Sequence, residues 1–263
     1  MFALINNLTL HYRIEGDARN PPLVFINSLG TDLRLWDEVA AKFVDRYRLI
    51  HYDKRGHGLS DAPTGPYSIR DYAHDLAGLL DHLKVETGIL VGISVGGMIA
   101  MDYTLQYPER VKALVLCDTA PRIGAVESWN DRIQVVRQQG LAALAETLTG
   151  RWFAPVFASR HPAKYRGYLN MLARMPLEGY VATCAALRDA DLREQAKAIT
   201  APSLVLCGSE DASTPPSLVL QFAVSLPNAH FEIIEEAAHL PCVEQPEAVA
   251  AAMDRFFRDG KHG

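Results

Sequence analysis

The strongest constraint on this chain is an alternation. Short continuous apolar runs take turns with helix-length segments through its first 120 residues. LTLHYRI (Leu8 to Ile14) alternates with period two behind Asn6-Asn7, the pattern of an opening hairpin. PLVFIN (Pro22 to Asn27), YRLIHYD (Tyr47 to Asp53), GILVGI (Gly88 to Ile93) and VKALVLCD (Val111 to Asp118) are continuous runs. Runs of that kind belong to strands buried on both faces, as in a parallel sheet. Between them, Leu35 to Asp45, Ile69 to Lys84 and Val95 to Tyr107 have helical spacing, and Pro108 closes the last. The pattern predicts an α/β layered fold.

The alternation lapses between about Pro121 and Ala196. Trp129 to Gly140, Leu141 to Phe153 and Pro162 to Leu192 read as amphipathic helices with no strand run among them. It resumes with APSLVLCG (Ala201 to Gly208), a helix from Pro215 to Leu226, HFEIIE (His230 to Glu235) and a last helix from Pro246 to Arg258. The organisation predicted is one core, residues 1–120 and 197–263, interrupted by a helical insertion, residues 121–196.

Composition excludes several classes. The chain has 263 residues, 26 basic against 31 acidic side chains and 49% apolar residues, so it is neither disordered polymer nor a basic nucleic-acid binder. The longest weakly polar stretch, Gly88 to Met101, carries four glycines and falls short of the roughly 18 residues of a membrane span. The opening MFALINNLTLHYRIEG lacks the basic-then-apolar build of a signal peptide. Cys117, Cys184, Cys207 and Cys242 are widely spaced with no CxxC pair, so nothing asks for an oxidising compartment. The expectation is a cytoplasmic protein without nucleic-acid or membrane partners.

The most informative stretch is Gly92-Ile93-Ser94-Val95-Gly96. A GxSxG match alone is weak evidence, since chance gives roughly 0.05 per chain of this composition. Its context is specific: a strand run feeds the serine and a helix pattern leaves it. A sharp strand-to-helix turn needs small neighbours around a nucleophile held at a strained backbone angle. Gly58-Leu59-Ser60-Asp61-Ala62 is a near miss without a feeding strand.

A serine hydroxyl needs a base to take its proton. This architecture places an acid and then a histidine later in the chain. Asp211 follows the run ending at Gly208, with Glu210 as its neighbouring rival, and His239 lies in the loop before the last helix. The other histidines fall in strands, helices, the insertion or the ends, except His57. His57 belongs to Asp53-Lys54-Arg55-Gly56-His57-Gly58, a glycine-turn loop given no proton-transfer role. Acyl transfer also needs N–H donors for an oxyanion. Val95, after the nucleophile, offers one; the loop after the third strand offers the other, from Leu29 or from Ser28.

The order Ser94, Asp211, His239 on strand–helix units resembles the α/β-hydrolase fold family across the whole core. NSLGTDLRLWD (Asn27 to Asp37), DKRGHGLSDAPTGPYSI (Asp53 to Ile69), GISVGGMIA (Gly92 to Ala100) and AAHLPCVEQPEAV (Ala237 to Val249) are similar to the 3-oxoadipate enol-lactonases. Asn27-Ser28 in place of the common His-Gly, and the Arg151-Trp152-Phe153 triplet, fit that family too. The resemblance implies a cofactor-free and metal-free serine enzyme of bacterial aromatic-compound breakdown. Its substrate would be a small anionic lactone bearing a carboxymethyl arm. Candidate contacts for that substrate are Ser28 and, in the insertion, Trp129, Arg132, Arg137, Arg151 and Trp152. A carboxylesterase, a carbon–carbon bond hydrolase or a noncatalytic receptor of the same fold are the alternatives. Haloalkane dehalogenases and epoxide hydrolases carry an aspartate where Ser94 stands.

Overall fold

The computed structural model describes residues 1–260. Eight strands form one sheet in the order β1-β2-β4-β3-β5-β6-β7-β8. They are β1 (Phe2–Ile5), β2 (Leu8–Glu15), β3 (Pro22–Ile26), β4 (Arg48–Tyr52), β5 (Gly88–Ile93), β6 (Val111–Cys117), β7 (Ser203–Gly208) and β8 (Ala229–Ile234). Asn6 and Asn7 both take positive φ, as a two-residue hairpin turn requires, and join β1 to β2 antiparallel. β2 pairs β4 antiparallel, and every later pairing is parallel. All six residues of β5 and of β7 are buried, which explains their unbroken apolar sequence.

The core helices are α1 (Asp37–Ala40), α2 (Ile69–His82), α3 (Val95–Gln106), α9 (Pro216–Ser225), α10 (Pro241–Glu244) and α11 (Pro246–Asp259); α4 to α8 lie between β6 and β7. α2 starts at a capping box in which Ser68 and Asp71 satisfy each other's backbone N–H. The helix predicted from Leu35 to Asp45 is largely absent. A 3₁₀ turn, Leu33–Trp36, leads into the single turn of α1, and i→i−3 bonds at Lys42, Phe43 and Arg46 take over. Burial of Phe43 against Tyr47 and Phe257 outweighs helical propensity there.

Between β6 and β7 the described elements are all helical: α4 (Val126–Gln139), α5 (Leu141–Thr149), α6 (Phe157–Arg160), α7 (Pro162–Ala173) and α8 (Leu177–Asp189). α4 packs on α8 and α5 on α7. The predicted helical stretch from Pro162 splits at Pro176, whose ring disfavours helix in the residue before it. Arg151-Trp152-Phe153 lies past the end of α5 rather than within a helix. Among the described residues no helix is long and apolar enough to cross a membrane. All four cysteines are free and buried.

Candidate active site

The parallel strands all point their carboxyl ends toward one edge of the sheet, where ligand sites of open α/β sheets form. Ser94 follows β5, Asp118 follows β6, Asp211 lies beyond β7 and His239 beyond β8.

Ser94 sits at φ 56°, ψ −123°, a conformation few non-glycine residues adopt. The turn is held by bonds from its N–H to the Cys117 carbonyl (3.0 Å) and from Thr119 Oγ1 to its own carbonyl (2.7 Å). The flanking glycines are required by space: a Cβ on Gly92 would collide with the Gly96 carbonyl, and one on Gly96 with the Ile26 carbonyl. β5, the turn and α3 therefore approach β3 more closely than side chains would allow.

His239 Nδ1 lies 2.8 Å from Asp211 Oδ2. Asp211 is buried and also accepts from Thr214 Oγ1 (2.6 Å) and the Ser213 N–H (2.7 Å). Burial raises its carboxyl pKa, but the charge and hydrogen bond of His239, with Thr214 and Ser213, hold it below the ordinary carboxylate value. Asp211, not Glu210, is therefore the acid joined to the histidine. With a carboxylate on Nδ1, the Nε2 of His239 is left to act on a proton.

Ser94 and His239 border one cavity of about 460 Å³, together with Ser28, Leu29, Trp129, Arg132, Arg151 and Trp152. No direct hydrogen bond joins the Ser94 hydroxyl to His239; contacts of this kind tighten when substrate binds. The N–H groups of Leu29 and Val95 donate to no acceptor among the described residues. Val95 opens α3, so its N–H also carries the positive end of the helix dipole. Ser28 borders the cavity, but its carbonyl is turned into the protein by Lys54 Nζ (2.7 Å) and Thr31 Oγ1 (3.0 Å).

The insertion residues divide. Trp129 is buried at the cavity wall with its indole N–H spent on the Ile123 carbonyl (2.7 Å), and it supports the Arg132 guanidinium 4.8 Å above its ring. Among the described residues neither Arg132 nor Arg151 forms an ion pair. Trp152 is buried at the cavity and lies against Gly30. Arg137 lies away from the cavity. It pairs with Glu178 at 3.3 Å on the surface and does not border the cavity. Five positions separate it from Arg132, which turns the two roughly 140° apart around α4. Helical spacing puts the two on different faces of α4 but does not say which face meets the cavity.

Three polar residues beyond the sequence-derived set touch this machinery. Asp118 is buried, accepts from the Gly208 N–H (2.8 Å) through Oδ1 and leaves Oδ2 unpartnered. Burial, then the neighbouring Asp211 charge, push its pKa well up. Asp118, Asp211 and His239 bring one ligand-type atom each within 4.8 Å. With Asp211 already engaged by three donors, His239 Nδ1 among them, the trio is a hydrogen-bonding cluster and fits a metal ion poorly. The other two are His57, whose Nε2 accepts from the Gly30 N–H (3.3 Å), and Lys54. Their only sequence signal was a charged loop with two glycine turns.

A serine on a strained strand-to-helix turn, an Asp-supported histidine beyond two later strands and two free N–H donors define a serine hydrolase site. The chain belongs to the alpha/beta hydrolase fold family, whose model matches residues 21–246. Within that family it is 39% identical over 254 residues to 3-oxoadipate enol-lactonase 2 of Acinetobacter baylyi, spanning 95% of each chain. It is 34% identical over 250 residues to 3-oxoadipate enol-lactonase 1 of the same organism, covering 95% of this chain and 93% of that one. The crystal structure of the enol-lactonase from Burkholderia xenovorans LB400 superposes with a TM-score of 0.96 at 34% identity, covering 98% of this chain and 100% of that chain.

Proposed function

We propose that this chain is a 3-oxoadipate enol-lactonase, a serine hydrolase of bacterial aromatic-compound catabolism that opens the lactone through an acyl-enzyme. The observation that carries the reading is one cavity bordered by Ser94, by the Asp211-supported His239 and by the guanidinium groups of Arg132 and Arg151, which form no ion pair among the described residues. A nucleophile and a cation on the same small cavity suit a small anionic ester, and the similarity to named enol-lactonases supports the lactone.

His239, oriented by Asp211, takes the Ser94 proton as the hydroxyl attacks the lactone carbonyl. The N–H groups of Leu29 and Val95 receive the negative oxygen of the tetrahedral intermediate. Collapse expels an enolate, which takes up a proton and ketonises. That leaving group stays tethered to the acyl chain, so the cavity holds it while His239 activates a water that releases 3-oxoadipate. Arg132, braced on Trp129, and Arg151 beside Trp152 bind the carboxylate of the substrate. Residues 121–196 act as a cap over the core formed by residues 1–120 and 197–263. The enzyme works in the cytoplasm on this small anionic lactone, with neither nucleic acid nor membrane as partner.

The test follows ultraviolet loss of the enol-lactone chromophore for wild type and Ser94→Ala, with short aryl esters and vinylogous diketones as competing substrates. The reading expects rapid lactone turnover, abolished in the alanine variant, and covalent labelling of Ser94 by a serine-directed phosphonate. Undiminished turnover by Ser94→Ala, or preference for the esters or diketones, would overturn it.

A further inference from the structure

Lys54 is a lysine with no solvent exposure at all, placed just beyond β4. Its amine donates to the Ser28 carbonyl at 2.7 Å, and no other hydrogen bond is formed by that group among the described residues. Burial pushes its pKa down, against the upward pull of the Asp53 and Asp32 carboxylates. In either protonation state an N–H remains for the carbonyl. A buried amine is costly where an apolar side chain of the same length would pack without desolvation. The bond it makes therefore asks for an explanation in the peptide it holds.

That peptide joins Ser28 to Leu29. In a planar trans peptide the C=O and N–H point in opposite directions. Drawing the Ser28 carbonyl inward, where the short Lys54 bond is joined by longer ones from Thr31 Oγ1 (3.0 Å), the Thr31 N–H (3.4 Å) and Asn27 Nδ2 (3.4 Å), turns the Leu29 N–H the other way. Leu29 borders the cavity, and its N–H has no acceptor among the described residues. The next peptide is anchored separately. The Gly30 N–H donates to His57 Nε2, which requires the proton on Nδ1, where it meets the Arg55 carbonyl at 3.0 Å. Burial, then the neighbouring Lys54, push the His57 pKa well down, the direction this arrangement needs. Lys54 and His57 thus grip two successive peptides from behind, and the donor between them faces substrate.

We infer that Lys54 is a positioning residue for catalysis: it aims and polarises the Leu29 N–H that receives the developing oxyanion. Because that N–H matters most when negative charge appears on the oxygen, Lys54 acts on the transition state more than on bound substrate. The inference rests on the acyl-enzyme reading given above.

The experiment compares wild type, Lys54→Met and Ser94→Ala on 3-oxoadipate enol-lactone, with thermal unfolding to establish that each is folded. Methionine fills the same buried space without an N–H donor. The expected result is a kcat lower by about 10- to 100-fold with KM within twofold. The affinity for phenylboronic acid, which forms a tetrahedral adduct on serine, should fall in parallel, while 3-oxoadipate binding is unchanged. Should the methionine variant not fold, Lys54→Gln replaces it, since its amide stops one bond short of the carbonyl. A kcat within twofold of wild type in whichever variant folds, or a loss of kcat without weakened boronate binding, overturns the inference. Turnover retained by Ser94→Ala would instead overturn the underlying acyl-enzyme reading, so the two failures are distinguishable.

Discussion

Leu240 donates its backbone N–H to the carbonyl of Trp152 at 3.0 Å, joining the residue after His239 to the insertion. Glu244 makes the joint double. One of its carboxylate oxygens accepts from the Ala154 N–H (2.8 Å) and the other from the Ala238 N–H (2.7 Å). The loop that carries the histidine is thereby tied directly to the segment that supplies Trp152 to the cavity wall on one side of His239, and through the Glu244 carboxylate to the same segment on the other.

Glu244→Ala should therefore disturb stability and catalysis together. Ala154 and Ala238 are buried, and each N–H left without an acceptor costs about 1–3 kcal/mol. The expected outcome is a lower melting temperature in calorimetry with kcat reduced and KM raised, because the histidine and the cavity wall loosen at once.

Asp211→Asn keeps the shape of the acid but removes the charge that stabilises a protonated His239. By analogy with other Asp–His–Ser sites, kcat should fall by about 10⁴. Stopped-flow acylation and steady-state turnover of the lactone check the size. Folding should be retained, since the Ser213 N–H can still donate to the amide oxygen at the Oδ1 position and the Thr214 hydroxyl can accept from the amide N–H at the other.

Arg132→Gln should discriminate among substrates. A hydrogen bond to a charged group contributes about 1.5–3 kcal/mol, so KM for the anionic lactone should rise by about 10- to 100-fold. KM for a neutral aryl ester should stay within twofold. Arg137→Gln serves as the control and should leave both unchanged, because Arg137 is occupied by Glu178 at the surface.

Acid sensitivity should trace in part to His51. Its ring is fully buried, stacked on Phe25 at 4.8 Å, and both nitrogens lack hydrogen bonds, with Glu15 Oε2 3.5 Å away outside bonding geometry. Burial, then the Arg13 charge, push its pKa down to about 3. Neutral when folded and ordinary when unfolded, it leaves stability intact above about pH 6.5 and subtracts about 1.4 kcal/mol per unit as pH falls from there toward 3. His51→Phe should lessen the slope of urea-unfolding free energy between pH 6 and 4 by one proton's worth. His57, also held neutral by burial, will keep part of the slope.

Much of the core was readable along the chain. β5 and β7 announce themselves because both faces of each strand are covered, and a continuous apolar run has few other uses. Gly92 and Gly96 announce the turn at Ser94 because only a residue without Cβ tolerates those carbonyl contacts. The segment after Leu35 was misread because burial of Phe43 against α11 is invisible to local periodicity.

The nucleophile and its two partners follow from local order: a strand run, a strained turn, then an acid and a histidine each at the exit of a later strand. Such signals survive in one dimension because backbone sterics and strand burial act over a few residues. Which arginine faces the cavity, whether Glu210 or Asp211 meets the imidazole, and that a buried lysine grips the peptide beneath Leu29 were settled by packing. Those contacts join residues 26 to 28 positions apart, such as Lys54 to Ser28, His57 to Gly30 and His239 to Asp211, or depend on the rotation of one helix face. Hydrogen bonds and burial at that range exist only once the layers have closed on one another.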